Sequence, residues 1–144
     1  MRPIAIGSDH AGYDLKETVK KQLSELGYEV EDFGLGGTES VDYPDYGIKV
    51  AGEINRGEYD RGILICGTGL GMSMVANRFN GVRAALCNDL FSAMMSRRHN
   101  DANILVMGGR VIGSELAAQI VRTWLETPFE GGRHKARLEK FCNL

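Results

Sequence analysis

A glycine-rich segment, residues 66–72 (CGTGLGM), carries the strongest chemical signal in the chain. Its glycines leave backbone N–H groups unshielded where a helix is predicted to begin, so the segment could cradle an anion. A cysteine beside such donors, here Cys66, can ionise near neutral pH. Met72 stands where a dinucleotide fingerprint needs glycine, and no G-K-[ST] follows, which argues against a Walker loop. The alternative is a tight turn without a ligand, with Cys66 as a small core residue.

Asp9 and His10 follow the first predicted strand and could contact a ligand. An Asp-His pair at a strand end can position a hydroxylated or anionic ligand, although loops are often polar without binding anything. We find no second or third residue at metal-ligand spacing around this pair, so no metal site is predicted.

Arg133 and Arg137 stand four residues apart, so on a helix they share one face. Two guanidinium groups with no carboxylate close in sequence suit a phosphate, which they can bind bidentately. Arg110 follows the fifth predicted strand and could join them, whereas His134 is expected to point elsewhere. The alternative is a solvated basic face.

His99 and Asn100 pose a geometric question. A helix predicted over residues 89–98 spans roughly 15 Å, and it carries His99 toward the edge of the sheet opposite Cys66. Either His99 is a structural residue at a helix end, or a second subunit brings it to the site. The second alternative predicts an obligate homodimer with two shared sites.

The elements that must position these residues form an alternating pattern of short apolar runs and helical periodicity. This alternation predicts an α/β fold with a mostly parallel five-stranded sheet and helices on both faces. Ligands of such sheets bind beyond the carboxyl ends of the strands. Ser114 is a possible N-cap of its helix. Strands are predicted at 3–6, 28–33, 63–66, 82–87 and 104–107, and helices at 13–26, 46–55, 71–78, 89–98, 114–126 and 133–141.

Length and composition set outer limits on the function. The 144 residues predict one domain, 1–144, and 43% hydrophobic and 25% charged residues are typical of globular proteins. A net charge of −2 argues against a general nucleic-acid binder, and no apolar run approaches the roughly 18 residues of a membrane span. The cysteines lack a C-x-x-C pair, and free thiols fit a reducing cytoplasm. Cys87 and Cys142 have no glycine loop beside them and are interpreted as structural.

Five segments together resemble the type B ribose-5-phosphate isomerases: SDHAGYDLK, SVDYPDYG, ICGTGLGMSMVANR, SRRHNDANILVMGGRVIG and FEGGRHKARL. That family also contains galactose-6-phosphate and allose-6-phosphate isomerases. The resemblance implies a three-layer α/β/α, Rossmann-like, doubly wound sheet and a homodimer or dimer of dimers, without metal or cofactor. It further implies interconversion of ribose 5-phosphate and ribulose 5-phosphate through a cis-enediolate, a step of the pentose phosphate pathway.

The same resemblance implies individual roles. Cys66 removes the C2 proton, Thr68 assists proton movement between the substrate oxygens, and His99 opens the furanose ring. Some relatives use a glutamate at position 72 as the base, which Met72 cannot replace. The amides of 67–71 hold the enediolate oxygen and the arginines bind the phosphate. The implied substrate contacts are Asp9, His10, Gly67, Thr68, Gly69, Leu70, Gly71, Asn100, Arg110, Arg133 and Arg137.

The residue types fit this chemistry independently of the family. Removing a weakly acidic proton next to a carbonyl needs a base and donors aimed at the developing oxyanion, and a thiolate beside a glycine loop supplies both. Two alternatives stay open. The substrate could be allose 6-phosphate or galactose 6-phosphate, or the chain could be a non-catalytic sugar-phosphate-binding module. A sugar-phosphate-binding module would not need Cys66 and His99 together. The presence of Cys66, Thr68 and His99 in one chain favours a self-sufficient homodimer.

Overall fold

A five-stranded sheet, parallel throughout, organises the computed structural model, which describes residues 2–34 and 36–144. The strand order is β2-β1-β3-β5-β4. The three inner strands, β1, β3 and β5, are buried at every position, as continuous apolar strands covered on both faces should be. The bounds are β1 (Ile4–Ser8), β2 (Val30–Asp32), β3 (Gly62–Cys66), β4 (Ala84–Leu86) and β5 (Ile104–Gly108).

Helices cover both faces of the sheet, which confirms the predicted three-layer α/β/α architecture. Helices α1, α4 and α5 pack on one face, and α2 and α3 pack on the other. None of the helices in the described ranges is long and apolar enough to cross a lipid bilayer. The bounds are α1 (Tyr13–Glu25), α2 (Tyr43–Asn55), α3 (Leu70–Ala76), α4 (Leu90–Arg98), α5 (Ser114–Glu126) and α6 (Arg133–Glu139), with a short 3-10 turn at His10–Gly12.

The predicted elements all form, and their boundaries shift by at most three residues. The largest shift is at α2, which begins at Tyr43 rather than at 46. Pro44 lies in its first turn, where a missing N–H breaks no helical hydrogen bond. The prediction that Ser114 caps α5 is wrong. Ser114 is the first helical residue, and the extended backbone of Gly113 (φ −84°, ψ 169°) holds the N-cap position.

Two apolar layers hold the helices against the sheet. One centres on the fully buried Trp124 of α5 and includes Leu23 of α1. The other joins Val50 of α2 and Met72 of α3 to Leu64 of β3. Burying a side chain of this size contributes roughly 1.5–3 kcal/mol. Met72 therefore anchors the start of α3, and with it the glycine loop that precedes that helix.

A buried ion pair fastens α1 to β2. The Lys16 side chain is fully buried, and its Nζ lies 2.6 Å from Oδ2 of Asp32. Lys20 Nζ donates to the same oxygen at 2.8 Å, and the Gly34 amide donates to Oδ1 at 2.8 Å. Burial alone would raise the pKa of Asp32, but the hydrogen bonds from Lys16 and Lys20 outweigh it and hold that pKa below its usual value.

We expect Asp32→Asn to lower the free energy of unfolding at pH 7 by about 2 kcal/mol, the order for hydrogen bonds to charged groups. Because the folded-state pKa of Asp32 is depressed, its contribution is present above the unfolded value of about 3.9 and is lost as the pH falls through the folded value. Urea unfolding from pH 7 to pH 2.5 should therefore show the two proteins converging in acid. Glu31→Gln, an exposed neighbour on β2, is the control. A constant difference at all pH values would contradict the electrostatic origin.

Candidate active site

The loops after β1 and β3 lie side by side at the carboxyl edge of the sheet. The chain leaves β1 toward β2 at one side and leaves β3 toward β4 at the other, and such a switch point opens a crevice. The Asp9 amide donates to the Ile65 carbonyl at 3.3 Å. Asp9 and Cys66 are both buried, at 7% and 5% exposure. The first and third strand ends thus bring together the two loops that the sequence singles out.

Local hydrogen bonds fix Asp9 and His10. Oδ1 of Asp9 accepts from the Gly12 amide at 3.0 Å and caps the short 3-10 turn. Nδ1 of His10 accepts from the Val41 amide at 3.1 Å. This acceptor role places the proton of the neutral imidazole on Nε2. His10 therefore offers an N–H donor from an oriented ring.

Cys66 ends β3 with a backbone donor directed at its sulfur. The Gly69 amide donates to Sγ at 3.2 Å. Gly69 has φ +86° and precedes α3, a left-handed conformation that suits glycine. The exposed Thr68 uses its Oγ1 to accept from the Leu70 amide at 3.2 Å. The loop therefore gathers a thiol, a hydroxyl and backbone amides in one short turn.

The loops after β4 and β5 close around this turn. The Arg110 amide donates to the Gly67 carbonyl at 2.9 Å, and a methyl group added to Gly67 would lie 3.6 Å from Cδ of Arg110. Asn88 accepts from the Gly108 amide at 3.0 Å and donates to the Thr68 carbonyl at 3.5 Å. Sequence reasoning assigned no role to Asn88. Its position directly after the fourth strand was the only available signal.

Tyr43 is a second residue that sequence reasoning missed. Its ring lies so close to Gly71 that any side chain there would overlap it. Gly71 therefore has to be glycine for α2 to reach the loop. The tyrosine brings a partly exposed phenol to the carboxyl edge. Tyr43 falls within the SVDYPDYG segment, yet its type alone gave no reason to place it beside residues 66–71.

His99 and Asn100 lie at the opposite, amino edge. They lie at the end of α4, shortly before Ile104, the first residue of β5. Ile104 pairs with Gly62 and Ala84, the first residues of β3 and β4, so this part of the chain lies where the strands begin. The helix length therefore places His99 where the sequence predicts. Helix α6 lies at the same edge, since its His134 stacks on His99.

The predicted site is thus divided within one chain. The expectation that Arg110 joins Arg133 and Arg137 is not met inside a single subunit, because β5 separates Arg110 from the amino edge. The carboxyl edge holds Asp9, His10, Cys66, Gly67, Thr68, Gly69, Leu70, Gly71 and Arg110, and the amino edge holds His99, Asn100, Arg133 and Arg137.

His99 forms a three-residue cluster with Glu130 and His134. Its ring stacks on that of His134 with centroids 4.2 Å apart and planes 11° from parallel. Oε1 of Glu130 lies 3.4 Å from Nε2 of His134 and 3.9 Å from Nε2 of His99. His134 is buried while Arg133 and Arg137 are exposed, which confirms that it points away from them. Burial lowers the pKa of His134, and positive charge on His99 lowers it further.

These three side chains are also a donor set of the type that binds transition metals, since their ligand atoms lie within 4.8 Å of one another. Sequence spacing did not reveal this set, because its members come from α4, α6 and the segment between α5 and α6. Each imidazole binds a metal in its own ring plane. Two parallel stacked planes cannot both contain one ion, so the observed ring geometry is that of a stack rather than of a coordination sphere.

The remaining cysteines differ from Cys66. Cys87 is buried, and desolvation raises the pKa of its thiol to about 11, so it stays neutral at pH 7. Cys142 is half-buried, with Sγ 4.0 Å from Nη1 of Arg83. Neither has a backbone amide donor of the kind that Gly69 supplies to Cys66 among the hydrogen bonds of the described residues.

Comparison with known proteins places this arrangement in a family. Residues 4–141 match the family described as ribose/galactose isomerase. The chain is 50% identical to Escherichia coli ribose-5-phosphate isomerase B, over 96% of this chain and 93% of that protein. It is 46% identical to a D-erythrulose-4-phosphate isomerase of Pectobacterium atrosepticum, over 97% and 93%. A solved Clostridium thermocellum ribose-5-phosphate isomerase B is 56% identical and superposes with a TM-score of 0.96, over 99% and 96%. The chain belongs to the ribose/galactose isomerase family.

Proposed function

We propose that this protein is an aldose-ketose isomerase that interconverts D-ribose 5-phosphate and D-ribulose 5-phosphate through a cis-enediolate. The observation that carries the proposal is the Cys66 thiol, which ends β3 with the Gly69 amide directed at its sulfur. It lies in a chain about half identical to relatives that bear this activity in their names. The three free cysteines fit a reducing cytoplasm, where we place the protein.

Proton transfer between C2 and C1 is assigned to Cys66. The thiolate takes the C2 proton, the C–H electrons form the C1–C2 double bond, and the former carbonyl oxygen O1 gains negative charge. Thr68 relays the O2 proton toward O1, and the thiol then returns its proton to C1 to give the ketose. The amides of residues 67–71 stabilise the oxyanion, and removing one such donor typically costs about 3–4 kcal/mol in other enzymes. The electron balance needs no cofactor.

Ring opening is assigned to His99, which protonates the furanose ring oxygen as the bond from that oxygen to C1 breaks, while the anomeric hydroxyl loses its proton to solvent and becomes the C1 carbonyl. Because His99 lies at the edge opposite Cys66, we infer that a second copy of the chain supplies it, together with Asn100, Arg133 and Arg137. A two-fold homodimer repeats the arrangement and forms two equal sites. The exposed arginines of α6 bind the phosphate, joined by Arg110 from the first subunit. Asp9 and His10 contact the sugar.

Apolar exposure at the carboxyl edge supports this dimer. Met74 of α3 and Phe91 of α4 are 68% and 67% exposed. Leu70, Tyr43 and Val111 add further exposed apolar surface around the glycine loop. Single exposed apolar residues are ordinary, but a concentration of them marks a contact surface. The surface surrounds the glycine loop, which His99 of the same chain does not reach.

A shorter substrate is the second candidate. The Pectobacterium atrosepticum relative, 46% identical to this chain against 50% for the Escherichia coli one, is named a D-erythrulose-4-phosphate isomerase. Relatives of similar identity therefore differ in the sugar that their names give. Initial rates with ribose 5-phosphate, allose 6-phosphate and erythrulose 4-phosphate, each with and without EDTA, decide the substrate. Conversion of only a tetrose or hexose phosphate would keep the mechanism and replace the sugar. Binding without turnover of any substrate would favour a non-catalytic module.

We expect Cys66→Ala to reduce turnover by at least about a thousandfold, because no other base of the glycine loop can replace the thiolate. Product formation from ribose 5-phosphate gives the rate, and light scattering checks that the dimer persists. Cys142→Ala should keep normal activity and controls for loss of a thiol. A fully active Cys66→Ala protein would rule out the proposed base.

We expect His99→Asn to slow conversion of ribose 5-phosphate by about a hundredfold, the usual contribution of a general acid. Solvent deuterium uptake into ribulose 5-phosphate should change far less, because its O5 carries the phosphate and it cannot close a furanose ring. Equal losses in both assays would argue against a ring-opening role.

Mixing the two inactive proteins tests the shared site. In a heterodimer of Cys66→Ala and His99→Asn subunits, one of the two sites keeps both native residues when the site is built from two chains. Statistical subunit exchange should therefore restore about a quarter of wild-type activity. No recovery after demonstrated exchange would place the whole site within one chain.

A further inference from the structure

We propose that His134 and Glu130 are positioning residues for His99, holding its ring in one orientation and keeping the single proton of the histidine pair on it. The inference rests on the proposed ring-opening role of His99. It concerns residues that lie behind the site, and neither is assigned a contact with substrate above.

His134 restricts the His99 ring mechanically. The His99 side chain is 42% exposed, at the C-cap of α4, where its backbone amide donates to the Met95 carbonyl. Its ring lies flat on His134, which is only 8% exposed and is fixed in the first turn of α6. An acid that must meet one oxygen of a bound sugar gains from such restriction, because orientation is a large part of catalysis.

The same stack determines which ring carries the proton. Two imidazolium rings face to face repel each other, so the pair carries at most one proton. The desolvated His134 ring is the poorer place for a charge, and the solvated His99 ring is the better one. Oε1 of Glu130 lies 3.4 Å from Nε2 of His134 and 3.9 Å from Nε2 of His99, so it stabilises a charge on either ring, and the desolvation of His134 decides in favour of His99. When the pair carries a proton, the ring that is proposed to donate it is therefore the favoured place for it.

The other charged groups around the pair are cations. Arg98 of α4 has Nε 4.0 Å from Oε2 of Glu130, and Arg133 and Arg137 of α6 lower the pKa of His134. These cations oppose a proton on either ring, which leaves Glu130 as the one anion in contact with the pair among residues 2–34 and 36–144. Its removal should therefore make the histidine proton easier to lose.

Hydrogen bonds fasten the segment that carries Glu130 to the end of α4. The Glu130 amide donates to the Arg98 carbonyl at 3.1 Å. Arg97 donates from Nε to the Thr127 carbonyl at 3.3 Å and from Nη1 to Oδ1 of Asp101 at 2.9 Å. Asp101 has φ +45°, a strained conformation that a surrounding network must hold. Glu130 and His99 thus share one braced unit.

The test uses Glu130→Gln and His134→Phe in the intact dimer, with Glu58→Gln in the turn before β3 as the matched change of charge. For ribose 5-phosphate, Glu130→Gln should move the alkaline limb of the kcat/KM profile to lower pH by about half a unit, because the protonated histidine loses its anion. His134→Phe should lower kcat/KM about tenfold through misorientation of the acid. Deuterium uptake into ribulose 5-phosphate should change less than about twofold in both variants, since that reaction bypasses ring opening.

Two readouts separate this role from a general structural one. Glu130 is exposed and its glutamine variant should unfold at the same temperature as wild type, so a shifted pH profile cannot come from lost stability. Histidine ring NMR should follow the His99 titration to lower pH in the same variant. Unchanged profiles and rates in both variants, with His99→Asn still selective for ribose 5-phosphate, would overturn this inference alone. A non-selective His99→Asn would remove the proposed role of His99 and this inference with it.

Discussion

Parallel connectivity is the constraint on which the rest of the molecule depends. In a sheet whose strands all run one way, every helix must return the chain to the amino edge. Residues that follow strands and residues that end helices therefore lie at opposite edges, separated by about 16 Å for a five-residue strand. Cys66 ends β3 and His99 ends α4, so the topology itself keeps them apart in one chain. Chemistry that needs both requires a second subunit.

The two edges of the sheet carry different kinds of functional group. At the carboxyl edge, the groups proposed to act on C1 and C2 are a buried thiol and backbone amides, locked by bonds such as those of Asn88 to the neighbouring loops. At the amino edge, the groups proposed to open the ring and bind the phosphate are the half-exposed His99 ring at the end of α4 and the exposed guanidinium groups of α6. The first set is rigid because the core holds it. The second set needs bracing, which the stack on His134 and the Arg97 hydrogen bonds provide.

Local patterns allowed much of this to be predicted from the sequence. The strand, glycine loop and helix around Cys66 are contiguous, so their joint position follows from chain order, and the length of α4 placed His99 correctly. The stack of His99 on His134 was not predictable, because 35 residues and a complete strand-helix unit separate the two rings. The prediction of the N-cap of α5 failed for a different reason. Glycine and serine both suit that position, and the path out of β5 decides between Gly113 and Ser114.

Helix α6 bears on how the enzyme could tell one sugar from another. Consecutive residues of a helix point about 100° apart, so His134 turns inward beneath His99 while Arg133 and Arg137 stay exposed. One helix thus fixes the spacing between the proposed phosphate anchors and the proposed ring-opening group. In ribofuranose 5-phosphate and in a hexopyranose 6-phosphate alike, the ring oxygen sits on the carbon next to the phosphomethyl group. The amino edge presents the same spacing to both, so discrimination of sugar length has to arise at the carboxyl edge, where C1 and C2 must reach Cys66.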